Sequence, residues 1–113
     1  MSLVFEGKVR DVVDGKLRGQ KIATVEFSGG GSLRFDAIEG VISVNAGDNI
    51  RVEVREGKPD NLEEYDFCGH GYLVDDESKV GKTILSIWGI LFIFSNKLGL
   101  IPNKKYYICI RKV

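Results

Sequence analysis

The string Val80-Gly81-Lys82-Thr83 ends as a phosphate-binding loop ends, with glycine, lysine and a hydroxyl residue in succession. That loop also needs a glycine five positions before Gly81 to let the backbone N–H groups cradle the phosphates, and Asp76 stands there. The string leads into a strand-like run, whereas the chemistry requires a helix whose N-terminus faces the anion. Gly69-His70-Gly71 opens like a dinucleotide fingerprint, but Val74 occupies the place of the third glycine and no βαβ unit surrounds it. Glycines at such positions read as strand geometry, a bend or a close backbone contact. Cys68, His70 and Cys109 supply three soft ligands where a structural zinc site takes four, usually in close-spaced pairs. His70 is the only histidine, and a Cys-His pair two residues apart on a strand, with no oxyanion hole or orienting partner nearby, reads as packing. Asp75, Asp76 and Glu77 lie in a turn between Gly71 and Gly81, where adjacent carboxylates are expected to be solvated. No catalytic, cofactor-binding or metal residue is expected, and no small-molecule ligand.

The aromatic residues offer a different chemistry. Phe67, Tyr72, Trp88, Phe92, Tyr106 and Tyr107 could stack single-stranded bases, as OB-type barrels do. In so small a domain most of them are expected to fill the interior. Lys97, Lys104, Lys105, Arg111 and Lys112 could form a basic patch, and the simpler expectation is the wet face of a strand. Sixteen Lys and Arg balance sixteen Asp and Glu, so no global positive field is available to hold a phosphate backbone.

The elements that must position these residues are strands. Fourteen glycines and two prolines cut the chain into short runs rich in β-branched and aromatic residues, and no window carries a 3.6-residue apolar stripe. Residues 3–13 alternate, with Leu3, Phe5 and Val9 apolar and Glu6, Lys8 and Arg10 polar, up to the turn at Asp14-Gly15. Ala23, Val25 and Phe27 share one face of a second run, and Gly29-Gly30-Gly31 allows reversal into Leu33 and Phe35. Residues 37–44 fit neither period and are expected to be irregular or a helical turn. Ile50, Val52 and Val54 alternate with Arg51, Glu53 and Arg55. After a charged linker at 56–64, runs at 65–74, 83–88 and 90–94 follow, with Gly89 inside the second hairpin, and Tyr106, Ile108 and Ile110 mark a closing strand.

The halves, about 1–57 and 65–113, share an order: a glycine-bearing strand, a hairpin, a connection and a closing alternating strand. Two copies are too few for a solenoid. Closure of two half-barrels into one all-β, antiparallel, OB-like barrel over residues 1–113 is the economical arrangement, because it removes free edges. A length of 113 residues, 43% hydrophobic and 28% charged, suits one soluble domain. Cys68 and Cys109 sit in apolar runs and are expected to be reduced core side chains, which points to the cytoplasm. No signal peptide is visible, and the most apolar segment, 84–94, falls well short of the ~20 residues of a membrane span.

The second half carries a resemblance. Asp66-Phe67-Cys68-Gly69-His70-Gly71-Tyr72-Leu73-Val74, then Ser86-Ile87-Trp88-Gly89-Ile90-Leu91-Phe92, then Tyr107-Ile108-Cys109-Ile110-Arg111-Lys112 resemble, in order and spacing, subunit eight of DNA-directed RNA polymerase in its short archaeal form, also called the G subunit. Val4-Phe5-Glu6-Gly7-Lys8-Val9 and Gly15-Lys16-Leu17-Arg18-Gly19-Gln20-Lys21 are similar to the archaeal opening. The longer, partly acidic first-half insertion of the eukaryotic relatives is missing here. The resemblance implies a barrel of two OB-like halves and a non-catalytic subunit that docks on the largest polymerase subunit and supports assembly. It transfers no catalytic, metal or cofactor residue. Phe67, Gly69, Gly71, Tyr72, Trp88, Gly89 and Tyr107 are the family-motif or interface residues it marks. A free-standing OB-type binder of single-stranded nucleic acid is the alternative, and direct nucleic-acid contact is left open.

Overall fold

A computed structural model describes residues 2–113; Met1, with which the expected domain opens, lies outside the described residues. Eight strands form: β1 (Ser2–Asp14), β2 (Gln20–Phe27), β3 (Ser32–Ile38), β4 (Asn49–Arg55), β5 (Phe67–Leu73), β6 (Thr83–Ile87), β7 (Ile90–Phe94) and β8 (Tyr106–Lys112). The described helical segments are a 3-10 turn at Leu62–Glu64 and a single α-turn, α1, at Glu77–Val80. The strands close into a barrel in the order β1-β2-β3-β7-β6-β5-β8-β4, and every neighbouring pair runs antiparallel.

Each half of the chain repeats one topology. β1, β2 and β3 meander and β4 returns beside β1, while β5, β6 and β7 meander and β8 returns beside β5. Each is a Greek key in the spatial order 4-1-2-3. The two keys meet at β3–β7 and at β4–β8, where Val52 faces Ile110 and Val54 faces Ile108. Closure leaves no outer strand without a neighbour.

Period-two alternation explains the wall. Inward side chains such as Val9, Val25, Phe35, Val52, Leu85, Phe92 and Ile108 are buried, and their sequence neighbours face out. β1 carries a bulge at Arg10, where the register passes from Val9↔Val25 to Asp11↔Thr24. The irregular stretch after β3 contributes to the interior, since Ile42 and Val44 are buried in the core and the Ile42 N–H donates to the Ile38 carbonyl.

Two expectations are corrected. Cys68 and Cys109 form a disulfide. They face each other in the β5–β8 register with Cα atoms 4.1 Å apart, so long-range pairing brings together what sequence distance separates. Their use as evidence for a reduced compartment falls away. Glu77, expected to be solvated, is buried. Its carboxylate accepts the Thr83 hydroxyl and the backbone N–H groups of Leu98 (3.3 Å), Gly99 (3.0 Å) and Leu100 (3.2 Å).

Candidate protein interface

Of the residues marked from sequence, most converge at one corner of the barrel. β6 and β7 are joined by Trp88 and Gly89 alone, with Ile87 facing Ile90 across the closing pair. Both turn residues have positive φ, 52° for Trp88 and 82° for Gly89, as a type I′ hairpin turn requires. That turn favours Asn-Gly, because a side chain with a Cβ meets steric resistance in the left-handed region. Here the position holds a tryptophan that is 64% exposed.

Inside this corner, Gly69 and Gly71 sit on the inward face of β5, where the C-terminal part of β6 crosses closely. A Cβ on Gly69 would lie 2.6 Å from Ile87 Cγ2, and one on Gly71 would collide with the Ser86 carbonyl. The missing side chains let the hairpin tip fold against β5, and Trp88 then meets Phe67 edge-on at 5.9 Å between centroids. Phe67 itself is buried and stacks on Phe92 at 5.8 Å.

On the outer face, His70 contacts Trp88 at 6.4 Å and Tyr107 at 5.4 Å, and Lys105 Nζ lies 5.7 Å from the centre of the Tyr107 ring. Tyr72, 50% exposed, stands two residues along from His70, and Leu91, 41% exposed, completes a row across Ser86. Arg55 faces Tyr107 in register and is held by Glu53, which also accepts the Tyr65 hydroxyl at 3.0 Å. Burial first, and then Glu53, push the Tyr65 phenol above its ordinary range.

The candidate aromatic platform thus divides. Phe67, Phe92 and Tyr106 serve the core; Tyr72 and Trp88 are presented, with Tyr107 half-buried beside them. His70 and Leu91 belong to the same surface and were not marked from sequence. Their signal was available in the outward phase of β5 and β7. Gly81-Lys82-Thr83 passes from the end of α1 into β6, so no helix follows that string. Among the described residues no group of three or more His, Cys, Asp or Glu is arranged to hold a metal ion.

Fold and corner together define a closed OB-like barrel that presents an aromatic, apolar surface. The sequence model of the family formed by the G subunit of DNA-directed RNA polymerase matches residues 2–113. The chain belongs to that family, and the polymerase complex is the setting in which its surface has to be understood. The DNA-directed RNA polymerase subunit Rpo8 of Saccharolobus solfataricus is 23% identical over 124 residues, an alignment covering 97% of this chain and 92% of that one. Among solved structures, the cytoplasmic molybdate-binding protein ModG aligns over 96% of this chain and 89% of its own, with a TM-score of 0.37 and 16% identity, a similarity too distant to inform fold or function.

Proposed function

We propose that this chain is a non-catalytic subunit of archaeal DNA-directed RNA polymerase, docking on the largest subunit through the Trp88 corner and supporting assembly of the transcription complex. It acts in the cytoplasm as one domain over residues 1–113, with halves at about 1–57 and 65–113, and takes no cofactor. Nucleotidyl transfer by metal ions belongs on this reading to the large subunits. Phe67, Gly69, Gly71 and Gly89 shape the corner; Tyr72, Trp88 and Tyr107 make the contact.

One observation carries the reading. A tryptophan holds a left-handed turn position where asparagine would fit better, and most of the residue's surface is exposed. Within the fold the ring meets Phe67 and His70 edge-on; a partner that buries the exposed remainder accounts for the choice, since tryptophan is enriched among interface residues that dominate affinity. A formal net charge of zero suits protein contact.

In a pull-down at moderate salt the largest polymerase subunit retains the wild-type chain. Trp88→Asn is expected to weaken retention about 30-fold, the loss of one dominant interface residue, while changing unfolding stability by no more than about 1.5 kcal/mol, because asparagine suits the turn and offsets the lost edge contact with Phe67. Equal retention of both proteins, or none of either, would sink the proposal. Oligonucleotide binding that disappears with Trp88→Asn would favour the free-standing single-strand binder instead.

A further inference from the structure

A second surface lies at the other end of the β6–β7 hairpin from Trp88, around the barrel on β3, which is opposite β8 in the ring. It is an open groove lined by Arg10, Thr24, Ser32, Arg34, Lys82 and Ser95, with Ile93 as its apolar floor. Three cations and three hydroxyls line it and no carboxylate does, in a chain whose acids equal its bases.

The cations differ. Arg10 is held by Glu26 at 2.8 Å and Asp11 at 3.4 Å. Arg34 and Lys82 are exposed, and among the described residues neither has an acidic partner within salt-bridge distance. They flank β7: Arg34 pairs in register with Ile93, and Lys82 directly precedes Thr83, which faces Phe94. Two strand spacings of roughly 4.8 Å separate β3 from β6, a distance that an extended chain of repeated negative charges can bridge. The hydroxyls add donors. Ser95 Oγ accepts the Ser32 N–H at 2.8 Å, which leaves its own O–H free to donate outward.

We propose that this groove binds the phosphodiester backbone of a single nucleic-acid strand, with Arg34 and Lys82 each on one phosphate and Ser32, Thr24 and Ser95 donating to phosphate oxygens. The lining has no exposed aromatic ring for a base, so contact is with the backbone and independent of sequence. A nucleic-acid strand is favoured over other polyanions because the family to which the chain belongs is part of a polymerase that handles DNA and RNA. The site is separate from the docking corner and stands or falls independently of it.

The test uses the whole chain and a fluorescein-labelled 20-nucleotide single strand of mixed sequence, followed by anisotropy at low salt. Wild-type binding is expected to fall with salt with a log–log slope of about −1.4, that of two phosphate contacts on a single strand. Arg34→Gln with Lys82→Gln is expected to weaken binding at least ~10-fold and flatten the slope, while Lys16→Gln with Lys58→Gln, which removes the same charge elsewhere, leaves it unchanged. Circular dichroism melting confirms that both variants fold. Unchanged affinity in the groove variant, equal loss in the control, equal binding of poly-glutamate, or loss of binding in Trp88→Asn would each overturn the proposal. Retention of the groove variant by the largest polymerase subunit reports separately on docking, so the two readings can fail apart.

Discussion

At the scale of single residues, Gly71 shows how a small absence shapes a surface. An alanine there drives its Cβ into the Ser86 backbone carbonyl, which cannot swing aside, whereas at Gly69 the nearest atom is a methyl group of Ile87. Gly71→Ala is therefore expected to cost about 3 kcal/mol and Gly69→Ala about 1 kcal/mol, measured by urea unfolding; the reverse order would contradict the close crossing of β6 over β5. The strand-geometry role of these glycines was legible, because glycine inside an alternating run has few other uses. The left-handed Trp88 was not, since Trp-Gly lacks the Asn-Gly signature of its turn. Nor was the Cys68–Cys109 bond. Local periodicity assigns each cysteine a phase on its own strand but says nothing about which residue faces it across the ladder.

At the scale of elements, the long connection between β7 and β8 is ordered from outside itself. Glu77, at the start of a one-turn helix, gathers the N–H groups of Leu98, Gly99 and Leu100, and Leu100 is buried in the core while Leu98 packs on it. Asp76 caps the same turn, its carboxylate accepting the Ser78 N–H at 2.9 Å. Glu77→Ala is expected to cost about 3 kcal/mol, by leaving the buried Leu100 N–H and Thr83 hydroxyl without their acceptor, and to speed proteolysis within residues 95–105; a variant as stable and as resistant as wild type would show that the connection holds itself. The sequence offered Asp75, Asp76 and Glu77 as one acidic run. Which member turns inward depends on the helical turn's phase, too short to leave a periodic signal. The disulfide ties β5 to β8 over a sequence separation of 41 residues. Its reduction is expected to lower stability by up to about 4 kcal/mol in the chain-entropy model, read as a drop in melting temperature with reductant that Cys68→Ser with Cys109→Ser reproduces.

At the scale of the whole molecule, the antiparallel barrel was largely legible, because alternation and glycine punctuation mark nearly every strand and closure follows from the need to hide edges, whereas its Greek-key strand order was not, since periodicity does not say which strands neighbour each other. The charges set its pH range. A hydrogen bond from Lys21 holds Asp14 below the ordinary carboxylate range, one from Lys104 does so for Glu56, and the Ser78 N–H does so for Asp76. Depressed carboxyl values add stability that is present above the unfolded values, about 3.9 for Asp and 4.3 for Glu, and is lost as pH falls through the folded ones. The raised Tyr65 phenol acts in the opposite sense: its contribution is whole below about pH 10 and is lost as pH rises through the folded value. Stability is expected to be flat between about pH 5 and 9 with a loss on either side, and Tyr65→Phe should remove much of the alkaline loss in pH-dependent melts; an unchanged alkaline limb would refute the assignment. The seams of the ring are unequal. β5 aligns with β6 only at Tyr72↔Ser86 and Leu73↔Leu85, while β2 aligns with both β1 and β3 along nearly its whole length. Amide protons in the first half of β5, paired on the β8 side alone, should accordingly trade with deuterated solvent sooner than those of β2, paired on both sides. Because that stretch lies beside Trp88, a seated partner would slow the trade there first, giving the free protein a clock that stops when its corner is covered.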